Sequence, residues 1–382
     1  MGKFAFLIHP LSLEDVARYE PGAKGKGRAI IEKILSWMPC WTTAHVTDVR
    51  SRSTGAEAEG WFITVPLMPE HFVTFPREEV YGRIMRACEM GAELGAEIVG
   101  LGAFTGVVGD GGVTIAERSP IPVTTGNSLT VAAAVQSLLR GAREMEVDPK
   151  DAVCAVIGAT GSIGGAVVRM LGSQVGRMVL VARNQTRLEK FACEVSEEIA
   201  APVSFTTDVG EGVRQADLIV TATSSTLEII HPEDLRPGAV VAEVSLPHDV
   251  SRRVAHERPD VLVIEGGNMR VPGEPRFMRV REEGEEFDLG LPRGTALACM
   301  SETMTLALEG RYENYSLGRG IQLEKVLEIE AMAERHGFAL ADLRAFDIAI
   351  SAEQLARTRE AARAARLGGP AEAREGVGKG AR

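Results

Sequence analysis

The chain is poor in cysteine and aromatics, has no long apolar run, and carries no excess of positive charge. Its five cysteines, Cys40, Cys88, Cys154, Cys193 and Cys299, are odd in number and far apart. That excludes a disulfide framework or a clustered zinc site and matches usage in a reducing compartment. No apolar stretch approaches the ~20 residues of a spanning helix. The first apolar run, Phe4–Ile8, is too short for a secretory leader and lacks a small-residue cleavage site. The expectation is a cytoplasmic protein with no integral membrane span. With 42 Lys+Arg against 53 Asp+Glu the net charge is −11, the opposite of a nucleic-acid-binding footprint. What remains is ordinary globular composition over 382 residues, long enough for two domains.

The most informative stretch runs from Val153 to Gly164. An apolar run, Val153-Cys-Ala-Val-Ile157, reads as a buried strand. Gly158, Thr160, Gly161, Ser162, Ile163 and Gly164 then make a tight turn into a small-residue helix. Glycines let a backbone approach a pyrophosphate, and a helix start offers N–H donors and positive dipole. This strand–turn–helix setting, with a second strand following, points to a dinucleotide-binding domain. The second strand, Arg177–Arg183, selects the cofactor. NAD-specific domains place a carboxylate near its end to hold the ribose hydroxyls. Here stand Arg183 and Asn184, with Arg187 one turn later. A guanidinium can hold a 2′-phosphate that a carboxylate would repel, so the expected cofactor is NADPH; a merely solvated helix start is the other reading of these arginines. Thr221, ending a later strand, and Gly266 are counted with the cofactor site.

Strand and helix alternate on both sides of this motif, which predicts an α/β protein. Residues 1–130 read as an N-terminal α/β substrate domain. Residues 131–290 read as a Rossmann NAD(P)-binding domain, with 131–148 a bridging helix. Residues 291–350 read as C-terminal helices returning to the first domain, and 351–382 as a helical, then disordered, basic tail. No internal repeat is visible.

Cys299 is the nucleophile candidate. Gly294-Thr295 reads as a helix start capped by Thr295, which puts Cys299 in or just past the first turn. There the helix dipole favours a thiolate able to attack a carbonyl or thioester carbon. A buried cysteine acting as a small hydrophobe is the competing reading. Cys154 lies within a strand and reads as core.

Several separated motifs carry a family resemblance over about residues 4–343: Leu101-Gly-Ala-Phe-Thr105, Thr124-Thr-Gly-Asn127, the glycine turn, Ala182-Arg-Asn184, Gly266-Gly267, Ala298-Cys299 with Glu302, Tyr312-Glu-Asn-Tyr-Ser-Leu-Gly-Arg319 and His336-Gly-Phe338. With these the chain resembles the long-chain acyl-[acyl-carrier-protein] reductases. The resemblance implies NADPH-dependent reduction of a fatty acyl thioester to an aldehyde. Cys299 would take the acyl group from an acyl carrier protein or acyl-CoA. Asn127, Thr105, the Gly126 N–H and the Cys299 helix are candidates for holding the developing oxyanion. The loop Val244–Val250 departs from the family pattern.

Two rival classes stay open. The layout is also that of shikimate or quinate dehydrogenases, or of an amino-acid dehydrogenase on a small polar substrate. Where the former use a Lys/Asp pair, Met68 and Leu129 stand here, and neither can move a proton. The other rival is a non-catalytic NADPH-binding sensor. For an acidic carrier protein, Arg270, Arg276, Arg279 and Arg281 suggest a basic dock; a solvated loop paired with Glu282–Glu286 is the alternative.

Overall fold

The computed structural model describes residues 1–282 and 284–368. The chain opens with β1 (Gly2–Ile8), whose Phe4–Ile8 segment is buried throughout. A hairpin follows, β2 (Trp41–Arg50) and β3 (Glu57–Thr64), then β4 (Ile98–Leu101) and the short β5 (Val123–Thr124). β1 pairs in parallel with both β3 and β4, Phe6 standing opposite Phe62 and Gly100. A strand flanked on both sides by parallel partners is buried on both faces, which is why β1 reads as one apolar run without alternation.

The second sheet contains β6 (Val153–Ile157), β7 (Arg177–Val181), β8 (Val203–Thr206), β9 (Leu218–Thr221), β10 (Val240–Glu243) and β11 (Leu262–Glu265). All its pairings are parallel, and the order is β11-β10-β9-β6-β7-β8. This is the doubly wound Rossmann order, whose strand sequence reverses between β6 and β9. Ligands of such sheets bind outside the carboxyl ends of the strands at that reversal.

The two sheets are joined by a helix, Asn127–Glu144, that begins inside the Thr124–Asn127 motif, a few residues earlier than its apolar periodicity predicts. The chain leaves the parallel sheet at Glu265, well before the boundary expected near residue 290. It forms β12 (Asn268–Arg270) and then β13 (Gly273–Arg279), which pairs antiparallel with β2 and becomes the edge of the first sheet. The first sheet is therefore β13-β2-β3-β1-β4-β5. β14 (Thr295–Leu297) pairs with β12, so Thr295 is a strand residue and not the expected cap. Its hydroxyl donates to the Pro292 carbonyl at 2.6 Å.

The helix Ala298–Glu309 packs against β1, β4 and the bridging helix, and Leu323–His336 packs on both helices. The chain then returns to the parallel sheet. Arg344 lies 3.4 Å from Glu265 and Phe346 is buried with that sheet's core. A last helix, Ala352–Gly368, ties back through Arg359 to Glu144 and through Arg366 to the Gly238 carbonyl. The tail expected beyond it lies outside the described residues.

Candidate active site

A cleft of about 650 Å³ runs between the two sheets, within the range of sites for small molecules and cofactors. Its Rossmann half is built on the glycine turn. Gly158 has φ +83°, and a Cβ there would fall 2.3 Å from the Ala222 carbonyl oxygen; no side chain fits. Gly164 packs behind it, where a Cβ would meet the Gly158 oxygen at 2.3 Å. Gly158, Thr160, Gly161, Ser162 and Ile163 face the cleft, whereas Gly164 serves helix–strand contact and does not. The helix Ser162–Leu171 starts without any side-chain cap, so its first-turn N–H groups are left for an anion. A dinucleotide pyrophosphate fits this cradle.

At the end of β7, Arg183 and Arg187 line the cleft and form no ion pair among the described residues. Asn184 does not join them. It caps the next helix, its Oδ1 accepting from the Arg187 N–H at 2.9 Å. Thr221 and Gly266 also fall outside the lining. The Thr221 hydroxyl is spent on Asp249, and the Gly266 N–H on the Glu243 carbonyl at 2.7 Å.

Asp249 is a site residue that the sequence did not announce. Fully buried, its carboxylate accepts hydroxyls from Thr221, from Thr223 at 2.7 Å and from Ser245 at 2.5 Å. The Thr223 N–H in turn donates to Ser245 Oγ at 2.8 Å. Thr223 and Ser245 both line the cleft, so one buried carboxylate fixes the loops after β9 and β10. The divergent Val244–Val250 loop thus carries its own anchor. Beside it, His248 Nδ1 lies 2.8 Å from Glu243. Burial opposes the His248 charge, but the Glu243 hydrogen bond and charge, with Asp347 and Glu265 nearby, outweigh it and raise the pKa.

The substrate half centres on Cys299, the second residue of the helix Ala298–Glu309. The thiol is half-buried and lines the cleft beside Asn127, Leu297 and Met300. Its expected thiolate character is corrected by its surroundings. Burial, with the nearby Glu302 charge adding to it, pushes the thiol up to about 12, and one helix start does not offset that. The resting group is the protonated thiol. Gly126, at φ +72°, abuts this residue: a Cβ there would lie 2.3 Å from both Cα and Cβ of Cys299. Asn127 Nδ2 donates to Ser162 Oγ at 3.1 Å, joining the two helix starts.

Thr105 is not in this group. It is fully buried, outside the lining, and its hydroxyl donates to the Gly102 carbonyl at 2.7 Å. It offers the cleft no donor. The neighbouring His9 does face the cleft, but burial lowers it to about 4, and its Nε2 accepts the Phe104 N–H at 3.1 Å.

Glu302 organises the motifs around Cys299. It is wholly buried, one helical turn on. Its carboxylate accepts from the Thr124 hydroxyl, the Leu129 N–H at 2.8 Å and the Ser316 hydroxyl at 2.7 Å. A negative charge at the start of Asn127–Glu144 is favourable there. Ser316 holds φ +55° and accepts the Ser128 N–H at 3.2 Å, while Asn314 Oδ1 accepts the Val123 N–H at 2.9 Å. The Thr-Thr-Gly-Asn and Tyr-x-Asn-Tyr-Ser motifs are thus two halves of one scaffold. Leu317 to Arg319 continue from it, and Arg319 reaches the cleft.

The four arginines expected to form a dock around residues 270–281 differ in their surroundings, and Arg276 is exposed, with its guanidinium 3.7 Å from Met278 Sδ. The Arg279 side chain is buried, donating to the carbonyls of Arg18 and of Tyr19, the latter at 3.3 Å, with its guanidinium 5.4 Å from the Phe287 ring centre. Arg270 lies beside Asp342 and Arg281 beside Glu20. Met68 and Leu129, standing where a polyol dehydrogenase would need Lys and Asp, are buried and apolar. Among the described residues no group of three or more His, Cys, Asp or Glu is disposed to hold a metal ion, and no helix is long and apolar enough to cross a membrane.

The doubly wound sheet, its glycine cradle and the cleft define a Rossmann-type NAD(P)-binding domain facing a second α/β layer. Comparison with known proteins agrees at that level: residues 141–265 match the shikimate / quinate 5-dehydrogenase family, ending where the parallel sheet ends. The chain is 34% identical over 354 residues to the aminotransferase PigE of a Serratia species, covering 90% of this chain and 40% of that one. It therefore spans well under half of PigE's length. It is 28% identical over 297 residues to the long-chain acyl-[acyl-carrier-protein] reductase of Synechococcus elongatus, covering 75% of this chain and 84% of that one. Among solved structures, shikimate 5-dehydrogenase from Listeria monocytogenes, in complex with shikimate and NAD, superimposes with a TM-score of 0.36 at 8% identity, over 86% of this chain and 96% of that one.

Proposed function

We propose that this protein reduces a fatty acyl thioester, carried by an acyl carrier protein or by coenzyme A, to the aldehyde, using NADPH and an acyl-Cys299 intermediate. The observation that carries the reading is the position of Cys299: a thiol at a helix start, in one cleft with a dinucleotide cradle. The cleft walls on that side are apolar, with Phe6, Leu7, Ile8, Leu11 and Phe104 among them, which suits an alkyl chain better than a polyol. Arg183 and Arg187 are free to hold a 2′-phosphate, which favours NADPH.

In this mechanism Cys299 Sγ bonds to the thioester carbon, and the donor's sulfur leaves with the proton that the thiol gives up. Asn127 and the N–H groups opening the Cys299 helix would face the carbonyl oxygen and stabilise its developing charge. When bound, NADPH supplies the hydride that reduces the acyl carbon. The resulting hemithioacetal oxygen then re-forms a carbonyl as the C–S bond breaks, and Cys299 takes a proton from solvent as aldehyde departs. Thr223 and Ser245, held by Asp249, fix the loops after β9 and β10 that border the cleft.

The test is aldehyde formation from a long-chain acyl-carrier-protein and from acyl-CoA with NADPH, beside Cys299→Ala, read by gas chromatography. Aldehyde from the parent and none from the variant supports the reading. NADPH binding without turnover on either donor would return the protein to the sensor or polar-substrate classes.

The stretch shared with an aminotransferase favours one second reading, in which the aldehyde is not released but handed to an amine-forming enzyme. Adding an aldehyde-accepting aminotransferase and its amino donor would then raise the steady-state rate of NADPH consumption.

A further inference from the structure

Residues 10–40 form a helical cap on the first sheet. Its inner side belongs to the cleft and core: Leu11 and Tyr19 line the cleft, while Val16, Ile31 and Leu35 pack with Trp41 and Met68. Its outer side is apolar as well. On the helix Arg28–Trp37, Ile30, Ile34 and Trp37 are spaced four and three residues apart, so they share one stripe. They are 58%, 44% and 76% exposed. Arg28 ion-pairs with Glu70 and so ties the short helix Pro69–Thr74 alongside, whose Val73 is also exposed.

The charge around this stripe runs against that of the whole molecule. Three of the chain's eight lysines, Lys24, Lys26 and Lys33, fall within ten residues here, although the net charge is −11. Among the described residues the lysines paired with carboxylates are Lys3, Lys190 and Lys325; these three have no such partner. Lys33 Nζ sits 5.2 Å from the Trp37 ring centre, at the edge of the apolar stripe.

An exposed aliphatic stripe, a tryptophan and a lysine rim are the parts of an interfacial helix. Alkyl and indole groups enter the boundary between acyl chains and headgroups, and ammonium groups meet lipid phosphates. A protein partner matches less well, because protein interfaces are depleted in lysine and centre on buried aromatic and arginine anchors. We propose that this cap docks on an anionic lipid surface, with Ile30, Ile34 and Trp37 at the acyl boundary and Lys24, Lys26 and Lys33 on the phosphates. The attachment is peripheral and reversible, since it combines two modest signals, and its electrostatic part is screened by salt. The cap's two sides then give the docking a use: the surface toward lipid and a wall of the cleft are built from the same short segment.

The test uses the full chain and vesicles of phosphatidylcholine, alone or mixed equally with phosphatidylglycerol. Co-sedimentation and the Trp fluorescence blue shift are the readouts. Binding is expected on the mixed vesicles, weaker on pure phosphatidylcholine, and lost in high salt. Lys24→Gln with Lys26→Gln and Lys33→Gln should weaken partitioning by about fivefold per lysine. Ile34→Ser with Trp37→Ser should abolish the blue shift while circular dichroism and melting temperature stay unchanged. No binding to mixed vesicles at low salt, or binding indifferent to both variants, overturns the proposal. So does a lipid-free dimer in the ultracentrifuge that Trp37→Ser dissolves, or saturable binding of a carrier protein lost in the lysine variant, since either assigns the face to a protein partner.

Discussion

The Asn127 side-chain amide donates to the Ser162 hydroxyl at 3.1 Å, and these are the first residues of two helices belonging to opposite halves of the molecule. One helix opens beside the nucleophile candidate, the other beside the dinucleotide cradle. Both residues line the cleft, so this bond ties the two helix starts together at one stretch of its wall.

Asn127→Ala removes this donor but leaves the glycine turn intact. It is expected to lower kcat roughly 100-fold, the scale of a lost oxyanion donor, with little change in the NADPH Kd. Steady-state kinetics together with NADPH fluorescence titration separate the two. A large loss of NADPH affinity with kcat preserved would instead make Asn127 a cofactor ligand.

The protonated resting state of Cys299 has a pH signature. Its thiol is pushed up to about 12 by burial, so the thiolate fraction climbs about tenfold per pH unit throughout the neutral range. Iodoacetamide labelling of Cys299, followed by peptide mass spectrometry, should rise in that proportion between about pH 7 and pH 9. A plateau below pH 8 would mean that the thiolate is already formed.

Glu302 accepts three hydrogen bonds in the interior, from Thr124, Leu129 and Ser316. Glu302→Ala orphans those donors and should cost about 3 kcal/mol in urea-melt stability. Burial raises the Glu302 pKa, so the neutral Glu302→Gln should be the milder change of the two. Equal melts for both variants would show that the hub does not hold the scaffold.

Arg183→Ala with Arg187→Ala should weaken NADPH by about 10- to 100-fold, as expected for lost charge-assisted bonds to a 2′-phosphate. NADH should be nearly unaffected. Parallel losses for both dinucleotides would deny the arginines a selective role.

Gly126→Ala must place a methyl group 2.3 Å from Cys299 Cα at a backbone φ of +72°. Activity should be lost and the melting temperature should fall. A fully active Gly126→Ala enzyme would show that the loop and the Cys299 helix can separate without consequence.

The Rossmann half was legible because its physics is local. A strand, a glycine turn and a helix start occupy one continuous stretch, so Gly158 to Gly164 could be read in place. The substrate half is assembled from two segments, Thr124 with Ser128 and Glu302 with Ser316, which lie more than 170 residues apart and meet only through packing. Motif order hinted at them, but nothing local shows that a buried carboxylate joins them. The roles of Thr105 and Thr221 are illegible in sequence for a related reason: a hydroxyl's partner is decided by the fold, and both donate inside it. Cys299 was placed correctly at a helix start, yet its charge state depends on desolvation by neighbours brought in from elsewhere. Arg279 reads as a surface cation until β13 is recognised as a sheet edge lying against the cap.

The chain passes between the two sheets three times: along the Asn127–Glu144 helix, from β11 to β13, and back again at Arg344–Ala349. A molecule tethered by one strap can gape, whereas one laced at three points has fewer ways to open. If the cleft takes an acyl chain as proposed, the side chains lining its walls, more than a swing of two lobes, would set the length it tolerates.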